Sequence, residues 1–443
     1  PEQSYRSSTF GSNNGPTTYR CANLPTSDTD MSQRTTRRTQ RVEIAPRYDY
    51  LLIVITAALL IVGLMMVYSA TFALGYQLYG QPTYFFIRQT LWMALGLIAM
   101  IVTARIEYHT WRKWSIPIMA GALLLLGLVL AIGSDRFGGQ RWLLGGSVQP
   151  SEIAKLAVII YIADWLSSKG ARIRQVTYGL VPFAILLGFV CGLIMLQPDF
   201  STAMLIAVTA IAMFFIAGGD LWQMIASGIL GGATFALLVT RSEYRLARIT
   251  SFLNPMGDQL GSNYQVRQIL IALGSGGVTG LGLGASRQKF GYIPASHTDG
   301  IFAILGEELG LVGCLVVIAL FALLAYRGFR VAMAAPDAFG TVLAGGITCS
   351  LIFQALINLA VVTATVPFTG IPLPFISFGG SSLVISMIGV GLILAVSRGT
   401  LPKEAEYPDD RDKTVNRAPY DLRRWDRGSR VSRSGRRRLA DSQ

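Results

Sequence analysis

The sequence predicts an all-α, polytopic integral membrane protein with about ten transmembrane helices and a long external loop between the seventh and eighth helices. Of its 443 residues, 52% are hydrophobic and only 14% are charged, and the mean hydropathy is +0.47. A soluble protein carries about 25% charged residues. Apolar runs recur along the chain, and a run of about 18 or more such residues is long enough to cross a bilayer.

Ten apolar runs are predicted to be the membrane spans. They cover residues 50–70, 84–104, 114–133, 152–167, 178–196, 201–217, 221–240, 301–325, 341–363 and 380–397. The fourth run is short and carries Glu152, Lys155 and Asp164, so hydropathy supports it least. An even number of spans places both ends of the chain on the same side of the membrane.

The net charge of +13 predicts which side that is. Lys and Arg residues lie in the tails and in alternate short loops, and loops rich in them stay cytoplasmic. These short-loop residues are Arg105, Arg112, Lys113, Lys169, Arg172, Arg174, Arg327 and Arg330. The sequence therefore predicts a cytoplasmic, disordered N-terminal tail (1–47), a membrane domain (48–398) and a basic cytoplasmic C-terminal tail (399–443). This charge pattern fits membrane orientation better than a nucleic-acid groove, and the basic tail shows no folded module, so no nucleic-acid partner is expected.

The long external loop, residues 241–300, contains its own structural signals. Val266, Ile269, Leu270 and Leu273 have helical spacing, which predicts an amphipathic helix over 263–277 at the membrane surface. The glycine series that follows, "GSGGVTGLGLG", lacks the Lys-Ser/Thr of a phosphate-binding loop. It is interpreted as a connection that is either flexible or tightly packed.

Carboxylates mark the start of the eighth span. Asp299 precedes it, and two compatible roles are predicted: a helix N-cap, and a general base or metal ligand that faces the outer leaflet. His297 is interpreted as an orienting residue. Glu307 and Glu308 lie inside the span, where charged groups are costly and usually pair, so they have either a structural or a tuning role.

A second polar constellation surrounds the start of the fourth span. Ser151 is predicted to cap this helix, and Glu152 and Lys155 share one helix face. Two interpretations stay open: a self-satisfied ion pair, or a basic patch of Arg141 and Lys155 that holds a phosphate on the outer face.

Two further stretches interrupt the apolar runs on the same predicted side. In "LQPDFST" (196–202), Asp199 is predicted to cap a tight turn. In "GIPLPFISFGGSS" (370–382), prolines, glycines and serines, including the candidate binding residue Ser377, open the last span. Irregular backbone within a membrane is tolerated where it faces protein or a cavity.

These stretches together resemble the SEDS family, the FtsW, RodA and SpoVE glycosyltransferases of peptidoglycan synthesis, and the FtsW branch most. The resemblance covers about residues 48–398. It rests on five motifs: "QRWLLGGSVQPSEIAKL", "LQPDFST", "NPMGDQLGSNYQVRQ", "GLGLGASRQKFGYIPASHTDGIFAILGEELG" and "GIPLPFISFGGSS". Two residues depart from the family pattern: Ala295 stands where a glutamate is usual, and Gly300 where a phenylalanine is usual.

The resemblance implies a peptidoglycan polymerase that joins lipid II units on the outer face of the bacterial plasma membrane, with a septal role during division. It implies that Asp299 is catalytic and that Arg141 and Lys155 bind the substrate, with Glu152, His297 and Ser377 as further candidates. It implies a class B penicillin-binding protein, other division proteins and membrane lipids as partners. Mg²⁺ or Mn²⁺ is expected to support activity, without an organic cofactor, and the metal ligands stay unassigned. A lipid II flippase, an elongation polymerase and a scaffold for the transpeptidase are the alternatives.

Overall fold

The computed structural model describes residues 48–132, 134–136, 139–142, 148–240, 252, 262–293 and 296–399. Contacts divide the chain into two units, 1–45 and 46–443, and every described residue belongs to the second. The predicted tails, apart from Gly399 at the start of the second, therefore lie outside the described residues.

In the described residues, a helix occupies each of the ten predicted spans. In chain order the α-helices are α1 (Tyr50–Tyr79), α2 (Tyr84–Arg105), α3 (Tyr108–Lys113), α4 (Ser115–Ile132), α5 (Pro150–Lys169), α6 (Val181–Leu196), α7 (Phe200–Ile216), α8 (Leu221–Thr240), α9 (Ser262–Gly276), α10 (Ile301–Ala334), α11 (Ala338–Val362) and α12 (Gly380–Arg398). A π-helical turn, Val176–Leu180, leads directly into α6. Six helical segments there meet both the length and the composition needed to cross a membrane: α1, α2, Val176–Leu196, α10, α11 and α12. The prediction of a polytopic, all-α membrane protein is confirmed.

A short hairpin between α4 and α5 was not predicted from the sequence. Strands β1 (Ser134–Arg136) and β2 (Gly139–Trp142) pair in antiparallel register, with Asp135 opposite Gln140. Strands this short carry too little alternation to be recognised in sequence. The hairpin places the backbone of Arg141 in β2, and the Arg141 side chain lies outside the described residues.

Two groups of contacts define the two ends of the helix bundle. At the first, the Asp49 end, the guanidinium of Arg327 on α10 lies 2.6 Å from the carboxylate of Asp49, which precedes α1. The Asp49 backbone N–H donates to Ser397 of α12 at 3.4 Å. At the second, the Asp299 end, the Phe378 N–H donates to the carbonyl of His297 at 2.9 Å. Two of the basic residues that predicted the topology are placed at the Asp49 end by contacts: Arg327 binds Asp49, and the Arg105 carbonyl accepts from Arg398, which follows Ser397 in α12.

Helix α10 is broken at Gly310, whose φ of 67° and ψ of −165° lie outside the helical region. The glycine series fills the break. The N–H groups of Leu281 and Gly282 donate to the carbonyls of Glu307 and Glu308, each at 3.0 Å. The N–H groups of Leu311 and Val312 donate to the carbonyls of Gly277 and Val278, at 3.0 and 3.2 Å. Unpaired backbone groups are costly in a membrane, so this seam makes the break tolerable. The glycine series is therefore a tightly packed connection.

The amphipathic helix of the long loop is confirmed as α9, which packs against α10. Ile269 and Ala272 are buried, while Leu270 and Ile271 remain exposed. The predicted apolar face is thus divided: one side meets α10, and the other is available to lipid, as expected for a helix at a membrane surface.

The segment between α11 and α12 reaches deep into the bundle because α1 presents a glycine to it. A Cβ atom at Gly63 would collide with the carbonyl oxygen of Phe375 and the Cα of Ile376. Phe375 and Ile376 are buried, and Phe375 has a φ of 65°, which is uncommon for a residue other than glycine. This irregular backbone is thus enclosed by protein, which is the condition under which it is tolerated within a membrane.

Candidate active site at the Asp299 end

Asp299 lies in the turn that leads into α10 and is only 8% exposed. The helix begins at Ile301, so Gly300 occupies the N-cap position, and no side chain caps the helix. The interpretation of Asp299 as the N-cap is therefore wrong. Its carboxylate accepts a hydrogen bond from Thr298 Oγ1 at 2.8 Å, and a Cβ at Gly370 would lie 3.5 Å from its Oδ2. Asp299 thus faces the segment that connects α11 and α12.

Two amide side chains of α11 hold this region together. Asn358 Nδ2 donates to the main-chain oxygen of Asp299 at 3.0 Å and to that of Ile371 at 2.8 Å. One turn earlier, Gln354 Nε2 donates to the carbonyl of Pro372 at 2.9 Å. Residues four apart share one helix face, so a single face of α11 fixes both the Asp299 turn and the segment opposite it.

Lys155 reaches the same face of α11. Its ammonium donates to Gln354 Oε1 at 2.7 Å and lies 2.7 Å from Glu152 Oε2. Both charged side chains are almost completely buried, at 6% and 5% exposure. The ion pair that the spacing predicted is therefore present. The second interpretation, a phosphate site shared with Arg141, cannot be placed because the Arg141 side chain is outside the described residues.

Two cavities border the Lys155 side chain. One, of about 10 Å³, lies among α5, α7 and α11, and its polar lining is Lys155, Thr209 and Ser350. The other, of about 20 Å³, lies among α5, α11 and α12, and its polar lining is Lys155, Ser350, Gln354 and Ser386. Each cavity has room for about one water molecule beside the buried ammonium.

Asp199 caps α7, as predicted, and also joins two helices. It accepts from the Thr202 N–H at 3.3 Å and from both Gln149 Nε2 and Ser151 Oγ at 2.9 Å. Helix α5 begins at Pro150 with Gln149 as its N-cap, so the prediction that Ser151 caps this helix is wrong. The Ser151 hydroxyl fixes α5 to α7 instead.

His297 and Ser377 occupy enclosed positions. The His297 ring lies 5.5 Å from the Phe85 ring and 5.6 Å from the Phe378 ring, and burial lowers its pKa to about 4. The ring is therefore neutral near pH 7. Ser377 Oγ accepts from the Leu373 N–H at 2.7 Å and closes a turn, while Gln89 donates to the Ser377 carbonyl at 3.3 Å.

Glu307 and Glu308 fix the loop that follows the glycine series. Glu307 accepts from the Ser286 hydroxyl and from the Arg287 N–H at 2.8 Å. Glu308 accepts from Ser69 of α1 at 2.6 Å and pairs with Lys289 at 3.1 Å. The sequence left a structural role and a tuning role open for these two residues, and their contacts match the structural role.

Three polar atoms near Asp299 are buried without a hydrogen-bond partner among the described residues. They are His297 Nδ1, Asn358 Oδ1 and Thr369 Oγ1. Buried polar groups are nearly always bonded, so unpaired ones indicate water or a ligand. The described residues do not bring three His, Cys, Asp or Glu side chains together in a group that could hold a metal ion. The described residues therefore do not form a metal cage.

Sequence reasoning missed four residues of this region: Gln354, Asn358, Lys289 and Ser69. For Gln354 and Asn358 a signal was present. Two amides four residues apart in an apolar span form a polar stripe on one helix face, and such groups in a membrane are costly unless they bond. Lys289 and Ser69 carry no comparable signal, because they meet only in three dimensions.

Together, the fold and the site define a polytopic helical membrane protein with a buried carboxylate and a buried lysine at one end of its bundle. Residues 50–401 match the family model FTSW_RODA_SPOVE, described as "Cell cycle protein". The chain belongs to this family and is a membrane-embedded glycosyltransferase.

Individual relatives agree with this assignment. The chain is 44% identical over 354 residues to "Stage V sporulation protein E" of Bacillus subtilis, covering 79% of this chain and 97% of that protein. It is 42% identical over 356 residues to "Probable peptidoglycan glycosyltransferase FtsW" of Trichlorobacter lovleyi, covering 80% and 93%.

Two solved structures share the fold. Thermus thermophilus RodA superposes with a TM-score of 0.60 at 28% identity, covering 80% of this chain and 98% of RodA. A chain from work described as "Structural coordination of polymerization and crosslinking by a peptidoglycan synthase complex" gives a TM-score of 0.67 at 29% identity, covering 80% and 98%.

Proposed function

We propose that this glycosyltransferase polymerises lipid II into peptidoglycan strands at the outer face of the plasma membrane, during septal cell-wall synthesis. One observation carries the proposal: a single face of α11 binds Lys155 through Gln354 and the Asp299 turn through Asn358. A carboxylate and a cation are thereby attached to neighbouring turns of one helix. These are the two groups that a transfer from a lipid pyrophosphate donor requires.

The chemistry has two demands. The 4-hydroxyl of one lipid II molecule attacks the anomeric carbon of the lipid-linked end of the growing chain. The bond from that carbon to the polyprenyl pyrophosphate breaks, and the pyrophosphate leaves with the electron pair. The Asp299 carboxylate accepts the hydroxyl proton, which typically contributes about 10²–10⁴ in rate. Lys155, with Arg141, stabilises the charge on the departing pyrophosphate. A single displacement inverts the anomeric centre, so no covalent nucleophile is needed.

The unpaired atoms around Asp299 support a polar substrate. His297 Nδ1 and Thr369 Oγ1 are groups that sugar hydroxyls satisfy. Because they are buried here, the site must open before a sugar can reach them. A dependence on Mg²⁺ or Mn²⁺ remains a prediction from the family resemblance.

The distribution of charge supports the proposed orientation. Arg327 and Arg105 lie at the Asp49 end, which the positive-inside rule assigns to the cytoplasm. Asp299 then belongs to the outer end, where lipid II is presented for polymerisation. A class B penicillin-binding protein is the proposed partner, by analogy with the peptidoglycan synthase complex that shares this fold.

Reconstitution with purified lipid II tests the proposal. Wild-type protein, with and without the cognate class B penicillin-binding protein, is compared with Asp299→Ala and with the isosteric Asp299→Asn. We expect glycan polymer from the wild type and none from either variant, with unchanged melting temperatures. Near-normal polymer from Asp299→Ala would overturn the base assignment. Transbilayer movement of lipid II without any polymer from the wild type would favour the flippase instead.

The septal role is tested separately in cells. A fluorescent fusion is expected to concentrate at the division site, and depletion is expected to give filaments with normal side walls. Uniform localisation along the side wall, with loss of cell shape on depletion, would favour an elongation polymerase.

A further inference from the structure

We propose that Asn358 is a positioning residue that holds the Asp299 carboxylate in its reactive place through the peptide backbone. The inference rests on the proposed role of Asp299 as the base and adds a residue that the sequence analysis did not identify. Asn358 lies on α11 and donates a hydrogen bond to the main-chain oxygen of Asp299, so we infer that it acts through Asp299.

The Asn358 amide links two chain segments by hydrogen bonds. Its Nδ2 carries two hydrogens, and both are used: one on the Asp299 oxygen at 3.0 Å and one on the Ile371 oxygen at 2.8 Å. The side chain is 1% exposed, so water does not readily replace either bond. The amide therefore fixes the spacing between the turn before α10 and the segment before α12.

The Asp299 turn needs this restraint because the helix that follows it has no side-chain cap. Helix α10 starts at Ile301 without a side-chain cap, and its N-cap is Gly300, the most permissive residue for backbone conformation. The residue that follows Asp299 therefore gives the turn little stiffness. A hydrogen bond to the peptide oxygen of Asp299 restrains the position from which its side chain projects.

The opposite segment is restrained by the same helix face. Gln354, one turn before Asn358, binds the Pro372 carbonyl, which is adjacent to Ile371. Its oxygen meanwhile accepts from Lys155. Helix α11 thus sets the position of the base relative to the cation, and a misplacement of about 1 Å can cost about 100-fold in rate.

The test compares Asn358→Ala and the isosteric Asn358→Asp with wild type and with Thr348→Val. Ionised aspartate keeps the volume of Asn358 and lacks both N–H donors. Thr348 is a matched control because it is 1% exposed on the same helix and its hydroxyl bonds only the Ala344 carbonyl, at 2.7 Å, among the described residues. The measurements are the melting temperature, the number of lipid II binding sites per protein, and the polymerisation rate per binding site.

We expect both Asn358 variants to lose about 10- to 100-fold in rate per binding site. Thr348→Val is expected to keep the wild-type rate per site. A purely structural role for Asn358 would lower the number of binding sites and the total rate in proportion. An unchanged rate per site in both variants would therefore overturn the inference, whatever happens to the melting temperature.

Asp299→Ala, measured in parallel, separates this inference from the proposed function. If Asp299→Ala is inactive and the Asn358 variants keep the full rate per site, only the positioning role fails. If Asp299→Ala polymerises normally, the base assignment fails, and the positioning role fails with it.

Discussion

The ammonium of Lys289 lies 3.1 Å from Oε1 of Glu308, and both side chains are buried, at 5% and 0% exposure. Ser69 of α1 donates to the same carboxylate at 2.6 Å. This cluster joins α1, α10 and the loop after the glycine series. Removing one partner of a buried pair leaves an uncompensated charge and costs about 3–5 kcal/mol.

Glu308→Ala should therefore lower the melting temperature in detergent far more than a surface substitution does. Glu107→Gln is the matched control, because the Glu107 side chain is 71% exposed. The double variant Lys289→Met, Glu308→Gln should recover most of the loss, since it leaves no unpaired charge. Equal melting temperatures for Glu308→Ala and Glu107→Gln would contradict this account.

The Glu152–Lys155 pair allows its structural and functional roles to be separated. Lys155→Met leaves Glu152 buried and unpaired, and should cost about 3–5 kcal/mol of stability. Adding Glu152→Gln should restore the melting temperature, because neither residue is then charged. If Lys155 also stabilises the departing pyrophosphate, the stable double variant should still fail to polymerise lipid II. Restored polymerisation would show that the pair is only structural.

His297 gives a pH dependence whose direction follows from burial. Its pKa is lowered from 6.5 to about 4, so the folded protein resists its protonation. Between pH 6.5 and 4 the unfolded chain binds a proton that the folded chain does not, and stability falls as the pH falls. The loss totals about 3 kcal/mol.

The variant His297→Phe isolates this effect. Phenylalanine suits the position between Phe85 and Phe378 and does not titrate. Melting temperatures measured from pH 7 to pH 4 should fall less steeply for the variant than for wild type. Parallel curves for the two proteins would show that His297 is not the group responsible.

Gly310 is predicted to be irreplaceable at the break in α10. Its φ of 67° and ψ of −165° form a combination that only glycine adopts without strain, which costs about 1–3 kcal/mol for other residues. A Cβ there would also collide with Gly280 N and Val278 O. Gly310→Ala should lower the melting temperature. Gly188→Ala in α6, where a Cβ meets nothing within 4 Å, should leave it unchanged or raise it.

Membrane orientation can be tested by cysteine labelling in a variant without the natural cysteines. Tyr292, before the Asp299 turn, and Met333, near the other end of α10, are 53% and 77% exposed. In intact cells stripped of any outer barrier, Tyr292→Cys should react with an impermeant maleimide. Met333→Cys should react only after permeabilisation. The reverse pattern would place Asp299 in the cytoplasm and remove it from polymerisation.

Several features of this protein followed from local sequence. The spans followed from hydropathy, because a bilayer requires about 20 apolar residues for each crossing helix. The Asp199 cap, the amphipathic α9 and the Glu152–Lys155 pair followed from spacing within one or two helical turns. Gly300, rather than Asp299, became the α10 N-cap because the Asp299 turn is set by α11 and by the segment after it, which local rules do not include.

The sequence by itself predicted a polytopic helical membrane protein and the residue types at its candidate site. Only the tertiary structure decided which polar groups meet. Lys155 and the Asp299 turn bind to one face of α11. Glu308 pairs with Lys289 and accepts a hydrogen bond from Ser69, and the glycine series bonds to the backbone at the break in α10. The reason is physical: in a membrane every buried polar group must find a partner, and that partner is set by packing between segments far apart in the chain.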